Sequence, residues 1–267
     1  MEFVPDFSKI LPCLLGTDDN NNKILTVQEA NSFTGGILAL SGDDTINGSS
    51  VNDLIFGGKG EDDLLGNGDN DSLFGNRDTD FLDGGSGDDI LFGGKGTDLL
   101  VGSDGNDTLI GDAGVGIYQG GLGSDVYVFR TDLARIEQDL SAIGSIFPGI
   151  SSSVELPNAV ITDFNLVEDI IGLTGGTTKN DLIFEDFNSL EEFGINANLV
   201  LPFVSNELEL LAKTGILFQD LDPNNNGIFE GTTIKIASTN KLLGYVLNAE
   251  SSEIAALPES QFITVDF

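Results

Sequence analysis

The chain has 267 residues, 40% of them hydrophobic, with 35 glycines and a net charge of −33 from 44 acidic and 11 basic residues. It is long enough for one or two real cores, and its charge disfavours both nucleic acid, whose phosphates need Lys and Arg, and an anionic membrane surface. No apolar run is long enough to span a membrane, and the absence of histidine excludes Ser-His-Asp and Cys-His catalysis as well as histidine-based zinc sites.

From the N-terminus, Met1 to Asp6 lacks the basic start and long apolar stretch of a cleavable signal peptide, so export by that route is not expected. Cys13, the single cysteine, stands among Leu11, Leu14 and Leu15 and reads as a small buried apolar residue without a disulfide partner. Residues 1–38 are too short for a separate core and are expected to cap the segment that begins at Ala39. Within them Asp18, Asn20, Asn22, Ile24, Thr26 and Glu29 have the ligand spacing of an EF-hand loop, but Lys23 stands where that loop needs Gly. An Asn-rich turn entering a strand is the preferred reading.

Residues 39–128 divide into ten units of nine, starting at 39, 48, 57, 66, 75, 84, 93, 102, 111 and 120. The first position is Gly in nine units and the fourth in seven. The sixth is Asp in nine units: Asp44, Asp53, Asp62, Asp71, Asp80, Asp89, Asp98, Asp107 and Asp125, with Gly116 the exception. The eighth is always large and apolar: Ile46, Ile55, Leu64, Leu73, Leu82, Leu91, Leu100, Leu109, Tyr118 and Tyr127. An apolar residue once per unit suits a strand of about three residues with one side chain pointing inward. The glycines permit a tight turn whose carbonyls converge. Calcium takes six to eight oxygens, carbonyl and carboxylate alike, and the Asp supplies the charged ones.

Gly84-Gly85-Ser86-Gly87-Asp88-Asp89-Ile90-Leu91-Phe92 and the closing Gly120-Gly121-Leu122-Gly123-Ser124-Asp125-Val126-Tyr127-Val128-Phe129 closely resemble the RTX, or hemolysin-type, calcium-binding nonapeptide family. The resemblance implies an all-β protein, a right-handed parallel β-roll in which two units make one coil, about five coils in all. Ions would lie between turns stacked 18 residues apart. Their ligands would be the sixth-position aspartates and the turns containing Gly58, Gly60, Gly85, Gly87, Gly94, Gly96, Gly105, Gly121 and Gly123. The aspartates then fall into two ladders, Asp44–Asp62–Asp80–Asp98, broken at Gly116, and Asp53–Asp71–Asp89–Asp107–Asp125. One ion between neighbours gives roughly seven or eight Ca²⁺. The 18 acidic and 3 basic residues of the repeats leave a charge of −15, which that many ions about cancel. The family is usually secreted by the type I route through an uncleaved C-terminal signal, which places the chain outside the cell or on its surface.

Residues 131–267 read as a mostly β C-terminal cap beyond a roll spanning 39–130. Strands are expected at 160–164, 170–173, 182–184 and 232–236, and short helices at 131–141 and 206–213. Asp222 to Glu230 reads as a turn in preference to an ion loop, because Thr233 stands where an EF-hand needs its last acid. No enzyme is expected, since 38 upstream residues cannot house one and the downstream segment lacks His and Gly-x-Ser-x-Gly; the alternative is a carboxylate-only hydrolase there. The ninth positions Phe56, Phe74, Phe92, Ile110 and Val128 should form an outward apolar stripe. The C-terminal segment covers it in the preferred reading. Otherwise a second copy or a surface partner does, making the protein an association component with calcium as its cement.

Overall fold

The computed structural model describes residues 13–33, 35–111, 113–131, 159–187 and 230–266. Most are strand, and the only α-helices among them are two short ones, Val27–Ser32 and Ser251–Ala256. Each nine-residue unit makes a turn and a short strand, and each strand pairs in parallel with the one 18 residues on. Ile55 thus faces Leu73, and Leu73 faces Leu91. Alternate units build opposite faces. One face contains Ile37–Ser41, Leu54–Lys59, Ser72–Arg77, Thr108–Ile110 and Val126–Phe129; the other contains Thr45–Asn47, Asp63–Gly68, Phe81–Ser86 and Ala113–Leu122. The strand Ile90–Asp104 bends round a turn and belongs to both. This is the parallel β-roll that the repeat implies.

The parallel stacking runs past both ends of the repeats. Leu14 pairs with Ile37 and Asn22 with Thr45, adding strands before residue 39. Ala159–Ile161 continues the second face on residues 116–118, and Ile170–Leu173 continues the first on Val126–Phe129. Lys241–Leu247 and Phe262–Thr264 then add one more strand to each face. The sheet closes with an antiparallel meander through Leu182–Phe187, Gly231–Ile236 and Lys241–Leu247. Strands stand at all four expected C-terminal places, although the first is Ala159–Ile161 and stops short of residue 164. The expected helices at 131–141 and 206–213 and the loop from Asp222 lie outside the described residues, apart from Thr131 and Glu230 at their edges.

The core is a single file of eighth-position side chains. From Ile46 to Tyr127 each is essentially inaccessible, and the column continues through Phe129, Ile161, Ile171, Leu243 and Val246. A fully buried aliphatic side chain stabilises by roughly 1.5–3 kcal/mol, so one per half-coil is what holds each coil on the last. Outside the roll, Phe56 stacks on Phe74 with ring centroids 4.8 Å apart, and Phe74 on Phe92 at 5.9 Å. These three are half-buried, whereas Ile110 and Val128 on the same stripe are buried. The opposite outer face also has an apolar cluster, Phe81, Leu99 and Val101 with Ile117 against it. Ninth positions alone do not reveal it, because three of these four are seventh positions.

At the N-terminal end the EF-hand spacing resolves into a turn, the strand Asn22–Ile24 and the helix Val27–Ser32. Glu29, which would be the last ion ligand, is spent on a capping box with Thr26 and an ion pair to Lys23 at 2.6 Å. Cys13 is half-buried and free.

Candidate metal centre

The two aspartate ladders form in the turns. Every sixth-position Asp is buried, and beyond the first of each ladder its Oδ1 accepts the backbone N–H of the Asp 18 residues before it. In one ladder Asp44, Asp62 and Asp80 donate to Asp62, Asp80 and Asp98 at 2.9, 3.0 and 3.1 Å. In the other, Asp53, Asp71, Asp89 and Asp107 donate to Asp71, Asp89, Asp107 and Asp125 at 2.7, 2.7, 2.8 and 2.9 Å. One oxygen of each of these carboxyl groups is therefore fixed by the neighbouring coil, and this sets the orientation of the other.

Residues beyond the repeats complete the ladders. Asn21 donates its backbone N–H and its Nδ2 to Asp44 Oδ1, at 2.5 and 2.7 Å. At the far end the Asp125 N–H donates to Asp169 Oδ1 at 3.0 Å, and Asp169 Oδ2 accepts from the Asn165 N–H at 2.7 Å. Asp163 accepts from the N–H groups of Gly120 and Gly121 and from the Tyr127 hydroxyl. None of Asn21, Asp163 and Asp169 was picked out from sequence. A signal for Asp169 exists, because Asp169-Ile170-Ile171-Gly172 repeats the Asp-x-apolar-x order of Asp125-Val126-Tyr127-Val128. The break at Gly116 has a physical cause: a side chain there would collide with the ring of Tyr118.

The glycines do two different jobs. At the first position a Cβ on Gly57, Gly66, Gly75, Gly84, Gly102 or Gly120 would strike the Oδ2 of the Asp in the same unit. Glycine stands there to let the carboxylate lie against the backbone. The second- and fourth-position glycines, Gly58, Gly60, Gly85, Gly87, Gly94, Gly96, Gly105, Gly121 and Gly123, all have positive φ. A Cβ at any of them would run into the turn carbonyl one coil below, so stacked turns present their carbonyls to one another. The turn that contains Ser49 departs from this pattern: the Ser49 N–H donates to Asp53 Oδ2 at 2.5 Å, so that oxygen is already engaged.

The electrostatics follow from burial. The Oδ2 atoms of Asp44, Asp62, Asp71, Asp80, Asp89 and Asp107 are buried and have no hydrogen-bond partner. Desolvation, with like charges in the neighbouring coils, pushes the carboxyl groups of Asp62, Asp71 and Asp107 up to about 7, and that of Asp80 to about 9. Burial also raises Asp98 to about 7 and Asp89, Asp125 and Asp169 to about 6. A buried carboxylate needs a proton or a cation. Among the described residues no three acidic side chains converge on one point. A cation here would therefore take one or two carboxylates and complete its shell with turn carbonyls. An all-oxygen set of this kind suits calcium; zinc favours nitrogen and sulfur ligands, and magnesium demands stricter octahedral geometry.

Parallel coils of 18 residues, with buried carboxylates and stacked carbonyls in all but the Ser49 and Gly116 turns, define a β-roll suited to hard cations. The family comparison agrees: residues 38–127 match the model of the RTX calcium-binding nonapeptide repeat, in overlapping segments 38–73, 65–100 and 92–127. This stretch of the chain consists of RTX calcium-binding repeats. Searches of curated proteins and of solved structures gave no match.

Proposed function

We propose that the chain is a secreted calcium-binding protein whose roll folds as it takes up Ca²⁺ and which works by association and not by catalysis. The observation that carries this reading is the set of six buried, unpartnered Oδ2 atoms repeated at the coil spacing. The proposed ligands are the carboxylates of Asp44, Asp53, Asp62, Asp71, Asp80, Asp89, Asp98, Asp107 and Asp125 and the carbonyls of the glycine turns. Asp53 contributes least, because Ser49 already holds its second oxygen. Roughly seven or eight ions, about one per neighbouring pair, would offset the repeat charge. Coupling folding to calcium suits a chain that stays unfolded inside the cell, where calcium is scarce, and folds outside or on the surface.

Limited proteolysis tests this directly. With millimolar calcium the repeats should resist cleavage, and with excess chelator they should be cut within the glycine turns. Equal resistance in both would defeat the reading.

The Phe56, Phe74, Phe92 stripe is proposed as the face through which a second copy associates. Phe74→Asp should leave calcium uptake unchanged, since ninth positions are not ligands, and should lower the mass seen by light scattering to that of a monomer. An unchanged mass and stability in that variant would make the stripe ordinary surface.

A further inference from the structure

The ten repeats contain only three basic residues, Lys59, Arg77 and Lys95, and all three occupy third positions of units 18 apart. The strand register stacks them: Lys59 pairs with Arg77, and Arg77 with Lys95. They therefore form a straight row along one turn edge, about 4.8 Å apart. All three are exposed, and none of their side chains makes an ion pair or hydrogen bond among the described residues. Cations placed only to neutralise acidic turns would be spread along both edges and would pair with them. These lie on a single edge, beside one another, at a cost in mutual repulsion.

The two edges differ sharply in charge. Turn residues 39–44, 57–62, 75–80, 93–98 and 111–116 have eight acidic and three basic residues, a balance of −5. Turn residues 48–53, 66–71, 84–89, 102–107 and 120–125 have eight acidic residues and no basic one, a balance of −8. About three divalent ions in the first ladder and four in the second would bring these edges to about +1 and 0.

We infer that the Lys59–Arg77–Lys95 row is a binding surface for a linear anionic polysaccharide. A stiff extended glycan presents one charged group after another at intervals comparable to the strand spacing. The remaining negative charge of the chain does not forbid this, because charges more than about 8 Å away are largely screened at physiological ionic strength. The inference rests on the calcium reading only in that the loaded roll keeps the row straight and its edge positive.

The test uses the full chain in calcium at physiological ionic strength, with chondroitin sulfate as a sulfated probe, a polyuronate oligomer too short to gel as a carboxylated one, and neutral dextran as control. Wild type should bind at least one anionic glycan and no dextran, and binding should fall as salt rises. The triple variant Lys59→Gln, Arg77→Gln, Lys95→Gln should bind at least about tenfold more weakly. It should also keep the wild-type calcium-induced circular dichroism change, which shows that the roll still folds. Equal binding by the variant, no glycan binding by wild type, or binding to anionic vesicles alone would each overturn the inference. A wild type that binds glycan through the row yet shows no response to calcium would leave the row standing and sink the calcium reading instead.

Discussion

Stripped of calcium, the chain is expected to lose its β-sheet signal near neutral pH and to regain part of it on acidification. The sign follows from the buried carboxyl groups. In the metal-free roll those of Asp62, Asp71, Asp98 and Asp107 sit near 7 and that of Asp80 near 9, all raised above the 3.8 of a free Asp. Well below pH 3.8 folded and unfolded chains are both protonated at these positions, and no penalty arises. Above it the unfolded chain releases protons that the roll retains, so the stability of the metal-free roll falls steadily as pH rises toward 7 and beyond. Calcium reverses the trend. It holds the carboxylates ionised, so lowering the pH from 7 toward 4 should expel it, weakening each site by about tenfold per pH unit for every proton displaced. Circular dichroism against pH, with chelator and with millimolar calcium, should give curves of opposite slope. Each ion present at a hundredfold over its dissociation constant adds about 2.7 kcal/mol, so several of them decide whether the roll is folded at all.

The second large effect is expected at Asp89. Its Oδ1 accepts the Asp71 N–H at 2.7 Å, its own N–H donates to Asp107 at 2.8 Å, and its Oδ2 is buried and unpartnered. Asp89→Ala removes a proposed ligand shared by two neighbouring intervals and leaves the Asp71 N–H unpaired in the interior. Loss of a hydrogen bond to a charged group costs about 1.5–3 kcal/mol before any loss of ion binding is counted. The variant should bind about two fewer ions and need more calcium to fold. Asp53→Ala should be milder, because the Asp53 Oδ2 is held by Ser49 and not left for a cation. Titration calorimetry of both variants checks the ranking; equal stoichiometry in wild type and Asp89→Ala would contradict the shared-ligand arrangement.

The repeat, its two ladders and its central file of Ile, Leu and Tyr were legible in the sequence because all three follow from one period. A strand spacing and a turn of fixed length leave no freedom in where the sixth and eighth side chains go. The coils beyond the repeats were less legible. Asp169 takes the place of a sixth-position Asp although it lies 44 residues after Asp125, so the period does not reach it and only strand pairing reveals it. Asn21 likewise meets Asp44 across 23 residues. The glycines were read as one class of turn residue. In the structure the first position, Ala39 apart, needs no unusual φ but has no room for a Cβ, whereas second and fourth positions need positive φ. That need persists where other residues stand, since Leu40, Asn67, Asn76 and Ser103 adopt it at second positions. The failure of Gly116 to extend its ladder also depends on the Tyr118 ring, a packing fact that no pattern of single residues displays.

Counting the ions on the folded chain tests the account most directly. Equilibrium dialysis with radioactive calcium near neutral pH, on wild-type protein freed of chelator, should find about seven or eight bound ions per chain, taken up over the same calcium range in which the sheet signal appears. A chain that reaches its full sheet signal with no calcium bound would contradict the account: the buried carboxylates would then be satisfied without a cation.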